Sequence, residues 1–263
     1  LGFNVAILIL LCGLAGELIA GTAPPRSQCL SCHASHYRER GTCGDCHHGN
    51  PGTIRKNIAH TNLIPGSYAF FNFSASAQVR NGKQLIDHLG CRRCHSVFGT
   101  GNKAASNLDL LFAASSPQMI EHAIRYPAQQ MPDFRFNRQQ LTEIVNAIEA
   151  AGKAAGKRGQ ETPQVIHFSR MGKKNENSFE KNCGGCHKFL STHSGGLGGG
   201  DIGPNLSGLF SEFYPANFRG EERWNRNNLQ KWLQNPRTIR PNTTMRPVAL
   251  KQEELDVIVR NLR

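Results

Sequence analysis

Methionine is nearly absent from this chain: there are four in 263 residues, and none in the first 118. A thioether metal ligand is thereby excluded from the whole N-terminal stretch. Acidic residues are also short, 19 against 31 lysines and arginines, which leaves a formal charge of +12. Such an excess ordinarily points to an anionic partner, nucleic acid or acidic lipid. Between residues 24 and 65 aliphatic side chains are few, and cysteine, histidine, glycine and arginine take their place. An ordinary hydrophobic core is excluded there. Length admits one large domain or two to three small ones and does not choose between them.

Cysteine, by contrast, is plentiful and patterned. Of nine cysteines, eight fall into four CxxCH units: Cys29, Cys32 and His33; Cys43, Cys46 and His47; Cys91, Cys94 and His95; Cys183, Cys186 and His187. Only Cys12 is left over. Two thiols three positions apart can reach two vinyl groups on one porphyrin edge while the next residue brings an imidazole beneath the iron, so CxxCH reads as c-type haem attachment. The direct count is four haems. A zinc ribbon built from the first two units has similar cysteine spacing, but leaves the histidine after every second cysteine unexplained. Haem also changes the charge sum. Each ferric haem brings about −1, so the total falls to about +8 oxidised and about +4 reduced. The remainder suits docking to an acidic redox partner and requires no nucleic acid.

The first stretch, LGFNVAILILLCGLAGELIAG, is apolar over about twenty residues, enough to cross the ~30 Å hydrocarbon layer. A cleaved signal peptide is the rival, with GTA at 21–23 as the cleavage site, but Pro24 would follow the cut. The expectation is a retained single-pass anchor over 1–23 in the cytoplasmic membrane. Haem attachment then places everything after it on the periplasmic side.

Beyond a linker-like stretch with an aromatic patch (66–78), the chain repeats itself. QLIDHLG leads into CRRCH and then Asn107-Leu108-Asp109-Leu110-Leu111-Phe112; later, CGGCH is followed by Asn205-Leu206-Ser207-Gly208-Leu209-Phe210. Each copy continues with an amphipathic helical stretch, a methionine in a proline-rich loop (Met131 and Met245) and a closing helix. A segment of linker composition, 153–171, separates them. Residues 79–152 and 172–263 each resemble a small monohaem cytochrome c of the mitochondrial type. The resemblance implies a helical fold around each haem, with His95 and Met131 as axial ligands of one iron and His187 and Met245 of another. Residues 24–65 resemble a bis-histidine dihaem module. The whole reads as mainly α: an anchor, an irregular dihaem module and two tandem cytochrome c domains.

Lacking a methionine, the first two haems need histidines as their distal ligands, drawn from His36, His48 and His60. The choice falls on His36 and His60, with His48 as the replacement for either. Met119, on an amphipathic helix, reads as core packing, as does Met171. His88, His122, His167 and His193 read as surface histidines. Thioether ligands raise a haem's potential relative to a second histidine, so low-potential haems sit beside the membrane and higher-potential haems outward. The expected function is electron transfer in a respiratory chain, from a b-type cytochrome or other quinol-oxidising membrane subunit to a soluble periplasmic cytochrome or other acceptor. The chain is then not an enzyme by itself. A cytochrome c subunit of a terminal oxidase is the alternative, and a dihaem-peroxidase-like enzyme a more distant one.

Overall fold

The computed structural model describes residues 27–73, 75–128, 130–156 and 177–263. The anchor proposed for 1–23 lies outside them; among the described residues no helix is long and apolar enough to cross a membrane.

Residues 27–65 contain two short helices, α1 (Cys43–His47) and α2 (Lys56–Ala59), joined by irregular chain. None of the residues in either helix is buried, as the lack of aliphatic side chains requires. The stretch at 66–78 is more than a connector. Gly66–Asn72 forms a 3₁₀ helix, and Tyr68 and Phe71 are set into the core of the domain that follows. Asn146 fixes it there, accepting from the Phe71 N–H at 2.9 Å and donating to the Ser67 carbonyl at 2.8 Å.

The first cytochrome-like copy is mainly helical: α3 (Ala77–His88), α4 (Leu111–Ala114), α5 (Pro117–Arg125) and α6 (Arg138–Ala155), with a hairpin of β1 (Ser96–Val97) and β2 (Thr100–Gly101) after the CxxCH unit. Its helix starts are written in the sequence. Ser76 and Ser116 cap α3 and α5, the latter with Pro117 in the first turn, and Asn137 with Gln140 forms a capping box on α6. The core lies where α3 crosses α6, around Ile86, Leu141, Ile144, Val145 and Ile148. Gly82 makes the crossing close: a Cβ there would sit 2.0 Å from the Glu143 carbonyl oxygen.

The second copy has α7 (Ser178–Asn182), a hairpin of β3 (Phe189–Ser191) and β4 (Gly195–Leu197), then α8 (Arg226–Gln234), α9 (Pro236–Ile239) and α10 (Gln252–Asn261). Phe179 of α7 packs with Leu255, Ile258 and Val259 of α10, repeating the first copy's plan. The stretch SEFYPANFRGEERWNR, residues 211–226, contributes to this core through buried Tyr214 and Phe218.

The repeated N-L-x element has the same task in both copies. Asp109 accepts from the N–H groups of Phe98 and Gly99 at 2.7 Å each, and the Ser207 hydroxyl accepts from Leu190 N–H at 2.8 Å. Each ties down the hairpin that follows a CxxCH unit. In both cases the preceding asparagine holds the turn, Asn107 Oδ1 on Asp109 N–H and Asn205 Oδ1 on Ser207 N–H.

Candidate haem sites

All eight described cysteines are free, with no disulfide among them. In three of the CxxCH units the histidine N–H returns to the carbonyl of the first cysteine, at 2.9 Å in His33, 3.0 Å in His95 and 2.9 Å in His187. The remaining unit lies in α1. One tight turn thus gathers two thiols and an imidazole. Burial pushes the Cys91 and Cys183 thiols up to about 11 and also raises Cys46 and Cys94.

Three of the four histidines are braced from behind. His47 Nδ1 lies 3.0 Å from the Ile64 carbonyl, His95 Nδ1 2.8 Å from Ser106 and His187 Nδ1 2.8 Å from Pro204. A carbonyl only accepts, so Nδ1 carries the proton and Nε2 keeps its lone pair for a metal, the outer-shell arrangement that orients a ligand imidazole. Burial lowers the His95 pKa, which keeps that ring neutral. Nothing in the residue types at 64, 106 and 204 marks these carbonyls as braces; only the fold brings them there. Room around the ring is also specified. A Cβ on Gly203 would fall 2.2 Å from His187 Cε1, and at Gly101 and Gly198, both with positive φ, 2.0 and 2.1 Å from the carbonyl of His95 and His187 respectively.

In the N-terminal module the spare histidines pair with the motif histidines. His36 faces His47 with ring centroids 5.6 Å apart, and His60 faces His33 at 6.0 Å. Two metal–nitrogen bonds of about 2 Å and the two half-rings together span roughly 6 Å, so each pair has room for one metal ion between its rings. His48 turns elsewhere, its ring 6.0 Å from Phe112 at an edge-on angle. Beside His36 and His47 opens a cleft of about 740 Å³ lined by Cys43, Cys46, Tyr37, Phe70 and Phe73. Its volume and apolar lining suit a cofactor of porphyrin size. Among the described residues no three His, Cys, Asp or Glu side chains converge, as a zinc ribbon would need. The donor set fits haem: paired thiols, paired imidazoles and an apolar wall.

Both loop methionines reach the core of their own copy. Met245 is further engaged, its Sδ accepting from the Trp232 indole N–H at 2.9 Å. Met119, expected in the core, is 60% exposed. Helix α5 buries Pro117, Ile120 and Ile124 instead, so its apolar stripe runs one position away from Met119. His88, His122 and His193 are exposed, while Met171 and His167 lie outside the described residues.

The comparisons with known proteins agree with the second copy. The cytochrome c family model matches residues 172–263. A cytochrome c of Stellaria longipes is 33% identical over 91 residues, covering 31% of this chain and 80% of that protein. No solved structure matches. By its C-terminal domain, the chain belongs to the cytochrome c family and is a haem-bearing electron-transfer protein.

Proposed function

We propose that the chain is a tetrahaem cytochrome that relays electrons from a quinol-oxidising membrane complex to a periplasmic acceptor. The observation that carries the count beyond the C-terminal domain is the meeting of His33 with His60 and His36 with His47, each beside its own pair of cysteines. Haem c, when bound, supplies one-electron exchange between ferric and ferrous iron. The chain's residues do the rest. Cys29 and Cys32, Cys43 and Cys46, Cys91 and Cys94, and Cys183 and Cys186 would hold the four macrocycles. His33 with His60, His47 with His36, His95 with Met131 and His187 with Met245 would serve as the protein ligands of the four irons. Filled positions favour electron transfer over ligand binding.

Ligand type then orders the sites. Bis-histidine ligation keeps the N-terminal pair at lower potential than the two His/Met sites. The apolar run within 1–23 supports an anchor that sets the low-potential pair beside the membrane, near a b-type cytochrome or other quinol-oxidising subunit. The positive charge left after the propionates supports an acidic acceptor. Mass spectrometry of the denatured chain tests the count, since thioether-linked haem survives unfolding. Four haem masses are expected, and a chain carrying one or two would overturn the proposal.

A further inference from the structure

The two cytochrome-like copies meet through several hydrogen bonds, and one arginine makes two of them. Arg93 sits inside the third haem motif, between Cys91 and Cys94. Its backbone is held by Gly90, whose carbonyl accepts its N–H at 3.0 Å, and by Asn102, whose amide donates to its carbonyl at 2.9 Å. Its side chain leaves its own domain. Nε donates to the Ser207 carbonyl at 3.0 Å, the terminal guanidinium nitrogen donates to the Asn205 carbonyl, and the guanidinium lies 4.3 Å over the Tyr214 ring. Among the described residues it has no carboxylate partner. Two carbonyls and an aromatic face take up the charge, a demand that a planar fork meets and an ammonium does not.

What it touches matters more than how tightly. Asn205 follows Pro204, whose carbonyl braces His187. The Asn205 side chain donates to the carbonyl of Gln130 at 2.9 Å, and Gln130 precedes Met131. Arg93 itself directly precedes Cys94. The interface therefore joins groups one residue removed from a thiol and the methionine of one site to the brace of the other site's histidine. Had the copies merely been tethered, contacts would fall anywhere on their surfaces; these fall on the haem-holding segments of both.

We propose that Arg93 is a positioning residue that clamps the third and fourth CxxCH units face to face, so that the two sites exchange electrons within one molecule. This rests on the four-haem reading for the third site. The test uses the full holoprotein. Haem per chain is read first from the haemochrome spectrum of the native protein, where a shortfall counts against the haem count alone. Electron equilibration between the two His/Met sites is then followed after pulsed photoreduction, together with magnetic coupling between the two ferric irons. In the native chain exchange should be independent of protein concentration. Arg93→Ala should keep the haem count, weaken the coupling and slow exchange about tenfold, the shift in docking expected when one charge-assisted hydrogen bond is lost. Arg93→Lys should not restore it. Tyr214→Leu, which leaves every CxxCH unit untouched, should slow exchange in the same direction, so loss of haem from the arginine variant would not rescue or sink the proposal. Native exchange and coupling in both Arg93→Ala and Tyr214→Leu would overturn it.

Discussion

A histidine ligand needs one nitrogen protonated and held, the other bare and aimed. The carbonyls of Ile64, Ser106 and Pro204 supply the first condition for His47, His95 and His187. Gly203 supplies space for the third of these rings. Gly203→Ala should push the imidazole off its brace, and absorption or electron spin resonance should show the C-terminal haem leaving its low-spin state while the others keep theirs. The proposed Met245 ligand would be adjustable. The Trp232 N–H withdraws electron density from Met245 Sδ. A hydrogen bond worth about 1 kcal/mol corresponds to roughly 20–60 mV for one electron. Trp232→Phe should lower the midpoint of that haem by an amount in this range, read by potentiometric titration.

Glu149 is 1% exposed with Oε1 unpartnered, and burial pushes its carboxyl from 4.5 up to about 7. A raised carboxyl pKa favours the folded state below the unfolded value, and that advantage is lost as pH rises through 7. At about 1.4 kcal/mol per pH unit, roughly 3 kcal/mol disappears between about pH 4.5 and pH 7. Glu149→Gln should therefore be more stable than the native chain at pH 8 in denaturant titrations, and the gain should vanish near pH 4.

At the scale of elements, the α3–α6 crossing carries the first copy. Gly82→Ala would set a methyl against the Glu143 carbonyl, an overpacking cost of roughly 2–4 kcal/mol. Thermal unfolding should show it, while Gly66→Ala, with nothing within 4 Å of the added carbon, should be close to neutral. Much at this scale is legible in the sequence. The capping residues Ser76, Ser116 and Asn137 announce their helices, because side-chain caps depend on residue type. The two small hairpins are not, since their strands are two or three residues long and Asp109 and Ser207 hold them by hydrogen bonds to backbone. Met119 misleads for a related reason: on a short helix an apolar stripe one position over fits the periodicity equally well.

For the whole molecule, the cysteine pattern reveals the number of candidate sites, because covalent attachment demands a fixed spacing. The reach of Arg93 from the third motif to Asn205 and Ser207 has no such spacing; it is a contact across more than a hundred residues, and only folding makes it. Likewise, the sequence favours His36 and His60 over His48 but does not pair them, and it is geometry that sets the first against His47, the second against His33 and His48 against Phe112. The proposed function stands on one chain carrying four haems of two ligand classes. A spectropotentiometric titration of the purified protein decides it: four electrons per chain are expected, two taken up at clearly lower potential than the other two. Fewer than four electrons, or four overlapping midpoints, would contradict it.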